Sequence, residues 1–296
     1  ENFNQFQIYA LTRLYCIYSA TLLFKFNSYD FTICSSYDQL IGRFDFGYIH
    51  FPSRRYFKFS DIIKIRRVRE LLDYISSFYF KPKARIIAAN SSYTASYVVL
   101  LTGLNPYILH PPVTPIVCKE SANRENIVVS IGRIVKDKNY EYIIDVAKHF
   151  PSLKFIILGR IVDKKYYQEL MSKKSENVTI IPNASESLKK EILCKSKVIL
   201  HTKFDEHFGI AVVEGMSAGL IPVVHKSGGV WTDIVEEGKY GFGFSNLNEL
   251  LEVLPVALQS EELRKDVVYK SYEFSFTSFE DKFLKTVSYT HLRAHE

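Results

Sequence analysis

Residues 200–229, LHTKFDEHFGIAVVEGMSAGLIPVVHKSGG, concentrate the groups in this chain that could do chemistry. Asp205, Glu206 and His207 fall in a short polar stretch after an apolar run, Phe208-Gly209 opens a helical pattern, and Glu214 lies one to two turns inside it. A helix start offers unpaired N–H groups and the positive end of the helix dipole, and a glycine there lets a phosphate approach the backbone. Glu206 and Glu214, eight residues apart, would repel a bare phosphate. They suit hydroxyls on either side of one. A nucleoside diphosphate sugar presents both kinds of group, with sugar hydroxyls flanking the diphosphate on one side and ribose hydroxyls on the other.

The elements that must position these residues follow from periodicity. From residue 126 onward, apolar runs of four to six residues alternate with amphipathic stretches of ten to fourteen, the pattern of βαβ units on a parallel sheet. Strands are expected at 127–131, 155–158, 178–181, 198–201 and 221–225, with helices at 140–149, 164–174, 187–194 and 210–218. This reads as one Rossmann-like domain. Earlier, 31–35, 46–51 and 85–89 read as strands, while 62–78 and 92–102 read as helices, the second ended by Gly103. The segment His110, Pro111, Pro112, Val113, Thr114, Pro115 can continue neither a helix nor a central strand and reads as a hinge. The expected division is a partial N-terminal domain, 1–115, and a C-terminal domain, 116–286. VSYTHLRAHE, residues 287–296, breaks the preceding periodicity and is set aside as a non-native tail, and the chain, which opens on Glu1, is read as a fragment.

Composition narrows the classes. With 47% hydrophobic and 24% charged residues in 296, a disordered chain is excluded. Arg13, Lys25 and Asp30 interrupt the most apolar early segment, so no run reaches the roughly 18 to 20 residues of a membrane-spanning helix. Cys16, Cys34, Cys118 and Cys194 form no CxxC pair; neither a zinc site nor a disulfide framework is expected, and reduced thiols in a cytosolic compartment are. The net charge of +6 lies wholly within residues 1–120, and 54–85 carry ten basic side chains against three acidic ones. Such a field attracts phosphates, nucleic acid or an anionic membrane. No nucleic-acid recognition motif accompanies it, and no nucleic-acid partner is expected.

Glu206 and Glu214 with Phe208-Gly209 between, and Gly228-Gly229 downstream, resemble the signature of family 4 retaining glycosyltransferases of GT-B fold. LHTKFDEHFGIAVVEGMSAG, SGGVWTDIV and YIHFP are similar to the branch of α-1,2-mannosyltransferases that extend a dolichol-linked oligosaccharide, and to its prokaryotic relatives. The resemblance covers roughly residues 29–285. It implies an α/β fold of two Rossmann-like domains facing a cleft, with the leading strand and glycine-rich loop of the N-terminal domain missing before Asn27. It implies transfer of mannose from GDP-mannose, with retention, onto a lipid-linked or other glycan. By the same resemblance Arg133 and Lys138 in SIGRIVKDKN hold the donor diphosphate with Gly209. Glu206 contacts the donor sugar, Glu214 binds ribose, and His50 faces the donor sugar from the first domain. Fixed cations beside a departing diphosphate would lower the barrier. No metal and no resident cofactor are implied, the co-substrate being the nucleotide-sugar. His201 and His225, at strand ends, are assigned to structure, and Asp233 and Glu237 are left outside the site. Arg54, Arg66, Arg67 and Arg69 are candidates for docking on anionic lipid and the acceptor's diphosphate, placing the protein peripherally on the cytosolic face of a membrane.

Two other readings stay open: a UDP-sugar transferase of surface polysaccharide synthesis, and a nucleotide-binding or membrane-docking fragment without catalysis. A nicotinamide dehydrogenase is disfavoured, because SIGRIVKDKN stands where its GxGxxG would be required.

Overall fold

The computed structural model describes residues 31–35, 44–52, 84–119 and 124–293, which fall into two compact units. The first comprises Glu1–Leu109 with Phe283–Glu296. Its described strands, β1 (Ile33–Cys34), β2 (Phe46–Ile49), β3 (Ile86–Ala89) and β4 (Tyr107–Ile108), form a parallel sheet in that order. Helix α1 (Ser92–Thr102) follows β3. It starts where the Ser91 side chain accepts the Thr94 N–H and stops at Gly103, whose φ of 70° is left-handed.

The second unit, His110–Lys282, holds a six-stranded parallel sheet. Its strands are β5 (Ile127–Ile131), β6 (Lys154–Gly159), β7 (Val178–Pro182), β8 (Val198–His201), β9 (Ile221–His225) and β10 (Phe242–Phe244). The order across the sheet is β10-β9-β8-β5-β6-β7. Helices on the faces include α2 (Glu141–His149), α3 (Lys164–Lys173), α4 (Glu186–Lys195), α5 (Ile210–Ser217), α6 (Leu247–Gln259) and α7 (Arg264–Ser271). Because both faces are covered, the inner strands are continuous apolar runs: Val128 and Val129 of β5 and Val198, Ile199 and Leu200 of β8 are all buried. Helix α5 packs closely on β8, and a Cβ on its Gly215 would lie 2.5 Å from the Ile199 Cδ1. Counted from β5, the order reverses between β5 and β8. In doubly wound sheets ligands bind at the carboxyl ends of the strands flanking that reversal.

Most expected strands and helices agree with this to within a residue or two, and β10, α6 and α7 extend the same pattern. The helix expected at 62–78 and the arginines Arg54, Arg66, Arg67 and Arg69 lie outside the described residues. Two expectations change. Cys118 and Cys194, expected as reduced thiols, form a disulfide with their Cα atoms 5.5 Å apart. The cause is tertiary, since Ile116 and Cys118 pack against Leu193 and Ala218 in one apolar cluster, closing 76 residues of sequence separation. The proline-rich segment is no free hinge either. Val113 is buried and donates its N–H to the Phe274 carbonyl, so the unit boundary falls at His110 rather than after residue 115. The last helix, α8, spans Phe276–Arg293. Among the described residues, no helix is long and apolar enough to cross a membrane.

Candidate functional site

The carboxyl ends of β5 and β8 carry the residues singled out by spacing. After β5 the chain turns at Gly132 and passes through Arg133 into a single 3-10 turn, Lys136–Lys138. Arg133 is exposed. The Lys138 side chain runs past Gly132, its Cε being 3.4 Å from where a Cβ would stand. Two bonds tie this loop to the end of β8: the Thr202 hydroxyl donates to the Lys138 carbonyl at 2.7 Å, and the Asn139 amide donates to the Thr202 carbonyl at 3.3 Å.

Glu206 is the centre of the cluster. Its Oε2 accepts from Lys138 Nζ at 2.7 Å and from His201 Nε2 at 3.2 Å. Its Oε1 accepts from Lys203 Nζ at 3.3 Å and from the His207 N–H at 3.2 Å. Lys203 also reaches Asp137 at 3.5 Å. Burial alone would raise the Glu206 carboxyl, but the His201 hydrogen bond and the Lys138 and Lys203 charges outweigh it and hold the group well below the usual carboxylate range. Burial pushes the His201 pKa down despite the opposing hydrogen bond and charge of Glu206. Sequence reasoning had given His201 to structure and passed over Lys203. Both precede Glu206 in the chain, and only the turn at 202–205 brings all three side chains together.

The loop carrying Glu206 is held from β9. Asp205 donates its N–H to Ser227 Oγ at 2.8 Å, and Gly229 donates its N–H to the Glu206 carbonyl at 2.8 Å. Gly228, with φ of 75°, packs so closely that a Cβ there would overlap the Glu206 backbone. Downstream, Gly209 (φ 109°) is the N-cap of α5 and supplies no side-chain cap to its first amides. A Cβ on Gly209 would stand 2.8 Å from Val230 Cγ2. Glu214, inside α5, receives Lys189 Nζ from α4 at 3.1 Å. His225 Nδ1 and the Ser227 hydroxyl are hydrogen-bonded at 2.7 Å, which supports the Glu206 turn indirectly.

Lys138, Glu206, Gly209 and Glu214, with Arg133 on the Lys138 loop, thus belong to one end of one sheet. His50 belongs to the first unit, after β2, where its Nε2 lies 3.3 Å from Ser35 Oγ and burial lowers its pKa. Among the described residues no cluster of His, Cys, Asp and Glu has the form of a metal site. Chemically, the second-unit cluster presents cations, one helix start and two carboxylates at a sheet reversal, a set matched to an anion flanked by hydroxyls.

His207 makes this region acid-sensitive. Burial first, and the Lys203 charge second, lower its pKa to about 4. A histidine depressed below its unfolded value stabilises the fold above pH 6.5 and loses that contribution as pH falls toward 4, here at most about 3 kcal/mol. Thermal melts from pH 7 to pH 4.5 should therefore fall more steeply for the wild type than for His207→Asn; equal slopes would remove His207 from the effect.

Comparisons with known proteins show the family and the fold. The family described as Glycosyl transferases group 1 matches residues 118–274, just over half of the chain. A GDP-Man:Man(3)GlcNAc(2)-PP-Dol alpha-1,2-mannosyltransferase of Dictyostelium discoideum is 24% identical over 272 residues, covering 81% of this chain and 53% of that protein. The enzyme of the same description from Xenopus laevis is 30% identical over 231 residues, covering 67% and 47%. The chain therefore spans about half the length of the curated relatives it matches. Among solved structures, Anabaena HepE in complex with UDP superposes with a TM-score of 0.66 at 18% identity, over 82% of this chain and 72% of that one. The fold is GT-B, and by its match over 118–274 the chain belongs to the group 1 glycosyl transferases.

Proposed function

We propose that this protein transfers mannose from GDP-mannose, with retention of anomeric configuration, to a hydroxyl of a lipid-linked glycan. The observation that carries the reading is the Lys138–Glu206 pair, 2.7 Å apart at the β5/β8 reversal of a group 1 glycosyl transferase. In this reading Lys138 and Arg133 take the diphosphate with the amides that follow Gly209. Glu206 accepts hydrogen bonds from the donor sugar and Glu214 from ribose. As the glycosidic bond breaks, charge gathers on the leaving diphosphate, where fixed cations and a helix start stabilise it without reorganising. The acceptor hydroxyl attacks from the face the diphosphate leaves, and a leaving-group oxygen takes its proton. No resident cofactor is needed for these steps.

The choice of mannose and of a lipid-linked acceptor is supported by the Dictyostelium and Xenopus relatives, both described as GDP-Man:Man(3)GlcNAc(2)-PP-Dol alpha-1,2-mannosyltransferases. Peripheral attachment to the cytosolic face of a membrane, through the basic stretch 54–85, belongs to the same proposal. A UDP-sugar donor is the second reading, favoured by the UDP complex of HepE. The test is transfer to a lipid-linked oligosaccharide with GDP-mannose or UDP-glucose as donor. Mannose incorporation is expected. Incorporation from UDP-glucose alone would replace the donor, and incorporation from neither would remove the activity.

A further inference from the structure

We infer that His110 is a positioning residue for the donor site, joining the two glycine-bearing segments that frame it. The inference rests on the donor reading above. His110 is the first residue of the second unit, in the proline-rich segment that the sequence marks as a hinge. Its ring stacks on Phe208, with centroids 5.5 Å apart and planes 22° from parallel. Phe208 is buried and directly precedes Gly209. The other edge of the imidazole faces a different segment, since Nε2 donates to Asp233 Oδ2 at 2.9 Å.

Asp233 belongs to the single π-helical turn Val230–Ile234 that follows Gly228-Gly229. Its Oδ1 accepts from the Thr232 hydroxyl at 2.7 Å. The same turn supplies Val230 and Ile234, against which Gly209 packs. One side chain therefore holds Phe208-Gly209 by stacking and the Gly228–Asp233 side by a hydrogen bond to a buried carboxylate. Phe274 sets its edge against both rings, 5.2 Å from His110 and 5.4 Å from Phe208, closing the stack. An Asp233 carboxylate only 4% exposed is costly to leave short of a donor, so loss of the imidazole N–H should shift the turn that carries it. Movement of that turn carries Val230 away from Gly209, and with it the helix start offered to the diphosphate.

The test compares wild type, His110→Phe and His110→Gln by calorimetric titration with GDP, UDP and ADP, steady-state kinetics with GDP-mannose, and thermal melting. Phe keeps the stack and loses the bond to Asp233; Gln can donate to Asp233 and loses the stack. For His110→Phe we expect Kd for GDP and KM for the donor to rise about tenfold with kcat within a factor of two, as for a lost hydrogen bond to a charged group. His110→Gln should recover at least half of that loss on a logarithmic scale. A lowered melting temperature with unchanged Kd and KM in both variants would make His110 packing alone and overturn the inference. If wild type binds none of GDP, UDP or ADP, the donor reading fails and the inference with it; if wild type binds and His110→Phe binds equally, only the inference fails.

Discussion

Glu206→Gln should slow sugar transfer by on the order of 100-fold or more while nucleoside diphosphate binding is retained or tightened. The two effects separate because Glu206 has two relationships. Toward the donor, in the proposed function, it accepts sugar hydrogen bonds that must be correctly placed in the transition state. Toward the protein it is the counter-charge of Lys138, 2.7 Å away, and of Lys203, 3.3 Å away. A diphosphate must draw Lys138 off Glu206, and the glutamine removes that competitor. The melting temperature should fall, since two partly buried ammoniums then face a neutral amide. Transfer rates and GDP titration on the same preparation check this. Parallel loss of both would mean that Glu206 only maintains the fold of the loop.

Gly228→Ala should abolish both donor binding and transfer and cost about 2–4 kcal/mol of stability, combining left-handed backbone strain with overpacking. The added methyl would fall on the Glu206 backbone, 2.6 Å from its nitrogen, and 2.9 Å from the Asp205 carbonyl carbon. Neither neighbour is a flexible side-chain end, so the turn bearing Glu206 must move. Gly103→Ala is the control. Its φ of 70° is equally left-handed, but nothing lies within 4 Å of the new Cβ, so the cost should be about 1 kcal/mol, with activity unchanged. Similar behaviour of the two variants in melting and transfer would show that strain, rather than the contact with Glu206, decides the outcome.

The second unit was legible because parallel strands covered on both faces are written as unbroken apolar runs, as in IVVSI of β5 and VILH of β8. Glu206, Gly209 and Glu214 were legible for a related reason: they lie on one contiguous strand-loop-helix, so sequence distance translates directly into geometry. The contacts that went unread join segments far apart in the chain. Cys118 meets Cys194 across 76 residues because α4 ends over the strand of chain that leads into β5. His110 meets Asp233 across 123 residues because the segment entering the unit packs beneath the β8 and β9 loops. Neither pairing has a periodic or motif signature. His201 shows a third case, in which the residue was noticed and its surroundings were not. A histidine at the end of a buried strand is ordinarily satisfied by the core, and here the satisfying group is the Glu206 carboxylate itself.

The most direct measurement of the central claim is calorimetric titration of the chain with GDP, UDP and ADP, for wild type and for Arg133→Ala and Lys138→Ala. The account predicts saturable binding of a nucleoside diphosphate by wild type, with GDP strongest, and affinity reduced about tenfold or more in Lys138→Ala, in line with the loss of one charge-assisted contact to phosphate. Arg133→Ala should weaken it as well. Absence of binding to all three nucleotides, or affinity unaffected by removal of Lys138, would contradict a donor site at the carboxyl ends of β5 and β8.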